Sequence, residues 1–303
     1  MKTVTKLLNA LLLTLVSGIA TYALPLQTYV SSTGNDTNDC TQSTPCRTFA
    51  GAAAKTAAKG SITALDSSTY GLITIDKALT IQAAPGVYAA LEGGRNTDAI
   101  TINTAPTDVV VLRNLQIITR SVADTNGIAI NTVGTLHVES SVITGFKAAG
   151  ISGPSLCNEN GCAQLYVIDT ILRDNDTGIK IGNVNASIDH CRIENNKTGA
   201  QISAQSKVTI SNCVVAGNIN VGLDATPLGG GRVESCIVTN NGTGIRSASA
   251  GSGSDAVYVV SNSMISGNHT GVAVNGGKIF SFGNNRFSAN GVNGAFTDTL
   301  LQQ

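Results

Sequence analysis

The sequence predicts an all-β solenoid built from stacked parallel strands, and three observations predict it. First, Gly-apolar pairs recur at Gly127, Gly150, Gly178, Gly199, Gly222, Gly244, Gly271 and Gly294, at intervals of 23, 28, 21, 23, 22, 27 and 23 residues. A period near 22 with tolerated insertions is the signature of a repeat architecture. Second, a six-residue block recurs between these pairs: Val138–Ile143, Val167–Leu172, Ile188–Ile193, Ile210–Val215, Val233–Val238 and Val260–Ile265. Leu112–Ile117 fits as an earlier copy and Phe282–Phe287 as a later one. Third, apolar residues alternate within each unit, a strand period, and helical spacing is absent. Each unit therefore reads as two or three short strands joined by turns. Stacked units place like strands about 4.8 Å apart.

Taken in chain order, Met1–Ala23 reads as a secretory signal peptide. Lys2 and Lys6 form a basic start, Leu7–Ile19 is apolar but too short to span a bilayer, and small residues follow. Cleavage is expected after Ala20 or Ala23. No later segment is apolar enough to span, and the expected location is the periplasm, the cell surface or outside the cell. Residues 24–303 form the solenoid domain. Secretion makes the 7 Cys interpretable. Cys40 and Cys46, then Cys157 and Cys162, each sit in one polar loop and are expected to close small disulfide rings. Thr48 is a candidate N-cap for a helix over 48–59 ending at Gly60, whose apolar face would plug the open end of the rod. Irregular early coils follow, with strands around Leu72–Ile75 and Leu79–Ile81, and the regular repeats run from about 109 to 296. Nine or ten coils give a rod about 45 Å long. The tail from Phe296 is short and is expected to cover the far end poorly.

Two columns emerge from the alignment. Cys191, Cys213 and Cys236 take one repeat position in consecutive coils, with Ser141, Thr170 and Ser263 at the same place in flanking coils. Small side chains suit an inward stacked position, and buried Cys acts mostly as a small hydrophobe. Stacked thiols are close enough for one disulfide, and the odd total leaves at least one free. Asn175, Asn196, Asn241 and Asn268 stand three residues before a repeat Gly, and Asn218 and Asn290 stand four before. Asn tolerates left-handed backbone and bonds its neighbours, so the N-x-Thr triplets read as turn chemistry rather than as glycosylation sites.

These repeats, with the C-x-I and N-x-T-G columns and the opening Tyr29–Asp36 segment followed by Pro45, Thr48 and Phe49, resemble the right-handed parallel β-helix, or pectin-lyase-like, superfamily. The likeness is to secreted bacterial members without an assigned activity, and it covers most of the chain after the signal. It implies a single-stranded right-handed parallel β-helix, a hand that agrees with the rule for parallel crossovers. The superfamily the chain resembles includes enzymes that act on acidic polysaccharides. Its polygalacturonase-like members carry Asn-Thr-Asp, and Asn96-Thr97-Asp98 matches that triplet. The later paired Asp, the Gly-His-Gly and the Arg-Ile-Lys are missing, so the match reads as chance.

Function is less legible. The chain carries 19 basic and 19 acidic residues, with 13% charged, which excludes a nucleic-acid binder relying on a basic face. Hydrophobic residues at 42% exclude a disordered chain. Lys180, Gln201, Asp224 and Arg246 follow successive repeat Gly residues and form one outward column, a candidate groove for a sugar or acidic polymer. Arg113, Glu139, Asp189 and Glu234 form a second column, beside His137. His190 and His269 fall at turns, and none of the three His is expected to pair with a carboxylate or nucleophile. Asp174-Asn175-Asp176 has calcium-ligand chemistry, yet the same residues serve a turn, so no cofactor or metal is assigned. Insertions at 152–164 and 247–256 follow the same repeat strand and are expected to project on one side, with Tyr166 and Tyr258 as the nearby aromatics; solenoid loops on one face often bind partners. The first expectation is a noncatalytic binding or structural protein with an extracellular or cell-surface polysaccharide partner. The alternative is a polysaccharide lyase or glycoside hydrolase on an acidic polysaccharide, using Lys180, Asp224 and Arg246.

Overall fold

The structure, a computed structural model, describes residues 23–119, 125–153, 156–158, 161–251 and 253–301. The expected signal peptide lies outside these residues except for Ala23. Among the described residues, no helix is long and apolar enough to cross a membrane.

Each coil of the chain visits three sheets in turn. One central coil shows why. Asn185–Asp189 alternates half-buried and buried residues, with Ala186 and Ile188 inside. His190 then takes a left-handed conformation (φ 52°) and turns the chain into the short strand Arg192–Glu194. Asn195 (φ 56°) makes the second corner, and Thr198–Ser203 completes the coil. The next coil starts at Lys207 and pairs in parallel, Asn185 opposite Lys207 and Asp189 opposite Ser211. Repetition gives a 12-stranded first sheet, a 10-stranded second sheet and a 9-stranded third sheet. Eleven steps along the first sheet make a rod about 53 Å long. The nine complete coils begin at Gly60, so the solenoid starts some 50 residues before the regular repeats do in sequence. The early strands fall at Ile73–Ile75 and Leu79–Ala83, as the apolar pattern there predicts.

The helix is shorter than expected. It runs Phe49–Lys55, with the Thr48 hydroxyl accepting from Gly51 N–H. Thr56 ends it, because its buried hydroxyl donates to the Ala52 carbonyl at 2.7 Å and meets Thr28 Oγ1 at 2.7 Å. Lys59 (φ 66°) then turns the chain, and Gly60 opens a strand instead of stopping the helix. Phe49, Ala52 and Ala53 are the buried face, with Phe49 5.2 Å from the Tyr70 ring. At the other end the tail covers more than its length suggests. Phe296 packs 5.3 Å from Phe287, and Asp298–Thr299 adds a strand beside Phe280–Ser281.

Both inward columns are real ladders. Asn175, Asn196, Asn218, Asn241, Asn268 and Asn290 stack in one line although Asn218 and Asn290 sit one residue further from the next Gly. Each Nδ2 donates to a carbonyl of the coil before, and the Nδ2 of the first five also donates to the next Asn Oδ1. Phe146 takes the Asn place in the coil ahead and is fully buried. The side-chain amides of the four N-x-T-G asparagines, Asn175, Asn196, Asn241 and Asn268, therefore point into the rod. The glycines beside them are needed for space: a Cβ on Gly178 would lie 2.6 Å from the Gly199 carbonyl oxygen, and one on Gly222 2.7 Å from that of Gly244. Gly294 is one place out of this column, which Asn293 occupies, since its carbonyl bonds Val272 N–H.

The thiol column consists of three free cysteines, Cys191, Cys213 and Cys236, each buried. Cys213 Sγ accepts from Cys191 N–H at 3.3 Å and donates to the Ser211 carbonyl at 3.0 Å. The side-chain contact with the Cys191 thiol and then burial push the Cys213 thiol up to about 12, against the Cys191 N–H, which pulls it down; the side-chain contact with the Cys213 thiol and then burial push Cys236 up as well. A thiol that folding keeps protonated stabilises fully below its unfolded pKa, so this contribution fades as pH rises from about 9 toward 12. Iodoacetamide is expected to label none of the three in the native protein and all three after unfolding without reductant. Urea midpoints should fall more steeply above pH 9 in the parent than in Cys213→Ala, and parallel pH profiles would contradict the assignment. The two remaining pairs, Cys40–Cys46 and Cys157–Cys162, are disulfides.

Candidate functional site

The candidate column lies on the outer face of the third sheet, in the predicted order. Ser152 is opposite Lys180, Lys180 opposite Gln201, Gln201 opposite Asp224, and Asp224 opposite Arg246. The side chains are not equivalent. Lys180 is exposed and has no ion pair or hydrogen bond among the described residues. Asp224, by contrast, is 1% exposed. Arg246 lies against it with a two-point pair, Nε to Oδ1 at 2.8 Å and Nη2 to Oδ2 at 2.7 Å. Asp224 therefore stands in the candidate groove as a buried, paired carboxylate. Its two oxygens are engaged, and a parallel sheet sets the two residues side by side so that the guanidinium fork covers the carboxylate. Hydrogen bonding to Asp224 raises the Arg246 pKa further, and Nη1 remains free to face solvent.

The edge leading from the third sheet to the first carries both insertions. Cys157–Asn158 and Gly161–Cys162 form a small antiparallel hairpin. The loop leans on the following coil through Leu156 N–H to the Gly182 carbonyl, 3.2 Å. The second insertion is closed by Ser247 Oγ to the Ala256 carbonyl at 2.6 Å and held by Asp255 to Lys278 at 3.3 Å. Tyr258 contributes nothing to a surface there, because it is fully buried. Burial first and the Asp224 charge second push its hydroxyl up, so it stays neutral. Tyr166 faces out from the first sheet instead, stacked on His137 with ring centroids 4.8 Å apart.

The second column also holds its register, from Arg113 beside Glu139 to Ser211 beside Glu234, with Ile168 between Glu139 and Asp189. It is a chain of local pairs. Arg113 Nε meets Glu139 Oε2 at 2.7 Å, and Glu234 accepts from Ser261. Two histidines do meet carboxylates, which corrects the sequence reading. His190 Nδ1 is 2.7 Å from Asp189 Oδ2, and His137 Nδ1 is 3.6 Å from Glu139 Oε1. Asp189 is pulled down to about 2: burial works against this but is outweighed by hydrogen bonds from Ser211, Asn212 and His190. The His190–Asp189 pair sits at a turn, and His137 and Glu139 share one strand.

The remaining sequence candidates disperse. Asp98 Oδ1 accepts from Asn126 N–H at 2.6 Å and from its Nδ2 at 3.1 Å, a coil-to-coil tie with no partner acid. Asn175 turns inward to the ladder while Asp176 pairs with Lys197 at 3.1 Å, so the Asp174–Asp176 side chains do not converge. Among the described residues no three His, Cys, Asp or Glu side chains gather as a metal site.

With the coil and its columns defined, comparison with known proteins is direct. The family model described as a right handed beta helix region matches residues 98–258 and 155–299. The chain belongs to this right-handed β-helix family. Its coil resembles that of the pectate lyase Pel9A, with a TM-score of 0.62 at 15% identity over 90% of this chain and 79% of that one. A rhamnogalacturonan lyase superposes with a TM-score of 0.56 at 11% identity, over 90% of this chain and 86% of that one. At these identities the likeness is one of fold. Among curated proteins none matches.

Proposed function

We propose that this β-helix is a secreted, noncatalytic binding or structural protein whose third-sheet column holds an acidic polysaccharide. The observation that carries this reading is the burial of Asp224 under Arg246. Hydrolysis of a glycosidic bond requires two working carboxylates across the bond, and the column's one carboxylate is already consumed. What remains outward is cationic, Lys180 and the free edge of Arg246. They stand three coils apart, about 14 Å at the backbone. Cations so spaced suit negative charges distributed along a polymer better than the two groups a lyase must bring to one sugar. The two lyases that share the coil supply a precedent for a polysaccharide partner on this fold, and the disulfides suit an oxidising compartment.

The alternative, a lyase, draws on one observation: Lys180 is exposed and unpaired, as a base would need to be. One set of measurements separates the two. The protein without its signal segment is titrated with pectate, alginate and chondroitin, with and without calcium, while unsaturated uronate absorbance and reducing ends are followed. The expected result is binding that weakens with salt, falls about tenfold in Lys180→Ala, and yields no product. Product from any of the polymers would install the lyase reading, and binding unchanged in Lys180→Ala would remove the column from either.

A further inference from the structure

A groove of about 320 Å³ runs along the corner between the first and second sheets, away from the Lys180 column on the third. Its wall is the corner itself. Ser235 (φ 52°) and Asn262 (φ 46°) turn the chain there in consecutive coils, and Asn284 continues the wall in the coil after. Its floor is a row of outward side chains in the second sheet, Ile237 opposite Met264 and Met264 opposite Arg286. Two steps between coils make this row about 10 Å long. The row changes character along its length. Ile237 and Met264 are 45% and 38% exposed, so two large apolar side chains face solvent next to each other. Arg286 follows them, exposed and with no ion pair or side-chain hydrogen bond among the described residues. Earlier in the same row Arg192 holds the equivalent strand position and gives Nη2 to Glu194, two residues on, at 2.7 Å. Ser288 takes that place after Arg286 and carries no charge. Donors on the wall sort the same way. Asn262 Nδ2 is used on Ser235 Oγ at 2.9 Å, whereas Asn284 Oδ1 accepts from Asn262 N–H at 2.9 Å and its Nδ2 stays free. The unused cation and the unused amide donor share one end of the groove, and the apolar side chains fill the other.

We propose that this groove binds a free aliphatic carboxylate of medium chain length, a fatty-acid anion, with its head at Arg286 and its chain over Met264 and Ile237. A guanidinium fork meets a carboxylate with two parallel hydrogen bonds, and Asn284 Nδ2 adds a donor from the wall. Met264 is unbranched and polarizable, so it can mould itself to a chain. The volume falls within the range of small-ligand sites. Two features separate this ligand from others. An apolar floor offers nothing to the amide groups of a peptide, which favours an acyl chain. A polymer bearing many negative charges would meet a single cation here, in contrast with the column of Lys180 and Arg246.

The test is calorimetry with octanoate as the probe and with octanol, octylammonium, acetate and an acetylated leucyl-leucine carboxylate as comparisons. Octanoate is expected to bind, and each comparison is expected to bind at least about tenfold more weakly, because each lacks the charge, its sign or a plain chain. Arg286→Gln and Ile237→Thr are each expected to lower octanoate affinity about tenfold. Both side chains are exposed, so the variants should fold, and thermal melts check this. Should Ile237→Thr unfold, Met264→Thr carries the same expectation. Lys180→Ala is expected to leave octanoate binding intact, and Arg286→Gln to leave pectate binding intact, so the groove and the polyanion column stand or fail separately. No octanoate binding at about 10 mM, octanol or the peptide binding as tightly as octanoate, affinity that survives Arg286→Gln, or affinity that is lost with Lys180 would each overturn the proposal.

Discussion

Replacing Asn218 by Ala is expected to destabilise the rod by about 3–5 kcal/mol, among the largest effects open to a single side chain here. Asn218 is 1% exposed and sits in the middle of the ladder. Its Oδ1 accepts from Asn196 N–H and Nδ2, both at 3.1 Å. Its Nδ2 donates to the Ile193 carbonyl at 3.1 Å and to Asn241 Oδ1 at 2.8 Å. Truncation strands the Asn196 amide and the Ile193 carbonyl in the interior, where each unmet group costs about 1–3 kcal/mol. Because a solenoid is held by nearest-neighbour contacts, the damage should localise and split unfolding into two steps. Urea denaturation with hydrogen exchange reads both effects. Asn218→Asp keeps the acceptor but loses the donor and buries a charge, so it should be no milder than Ala. A control outside the ladder is Asn35→Ala, which removes two exposed turn bonds, from Thr37 N–H and Thr37 Oγ1, and should cost under about 1 kcal/mol. Near-equal stability of Asn218→Ala and the parent would mean that the ladder specifies the turn without holding the coils together.

Arg246→Ala is expected to weaken both stability and polyanion binding, and a second variant separates the two. Removing the guanidinium leaves Asp224 buried without its counter-ion, a change that costs about 3 kcal/mol after allowance for the partly exposed Arg. Replacing both partners, Asp224→Leu with Arg246→Leu, should restore most of that stability, because apolar side chains of similar volume can stand in for a buried pair. The double variant has no cation at that rung, so its affinity for pectate should stay about tenfold down. Recovery of binding together with stability would show that Arg246 serves the fold alone. In that case Lys180 would be the only member of the column with a claim on a ligand.

The two variants mark where sequence reading succeeds and where it stops. Register along a parallel solenoid follows from periodicity, so residues one repeat apart become neighbours wherever the repeat is regular. That is why the order Lys180, Gln201, Asp224, Arg246 and the stacking of Cys191, Cys213 and Cys236 are readable directly from the chain. Periodicity does not reveal which neighbour a side chain reaches for. Asp224 and Arg246 were adjacent in the column from the start, yet only the folded sheet shows the fork closing over the carboxylate. His190 and Asp189 are adjacent in sequence, and their bond depends on a left-handed turn that brings the ring back over its own strand.

Where the repeat is irregular, the sequence misplaces things by a residue or conceals them. Gly294 matches the Gly-apolar pattern, but the backbone puts Asn293 at that rung. Helix propensity and a candidate Gly stop favour residues 48–59, while the buried Thr28–Thr56 contact ends the helix at Lys55. The groove at Arg286 has no sequence signature, because its parts are ordinary turn and strand residues from three coils. By itself, then, the sequence determined the all-β solenoid, its period, the inward columns and the two loop disulfides, since each of these repeats or depends on near neighbours. Only the tertiary structure decided that Asp224 lies buried under the Arg246 guanidinium and that a groove lies beside Arg286, since burial and ion pairing depend on which neighbour each side chain reaches, and periodicity does not fix that.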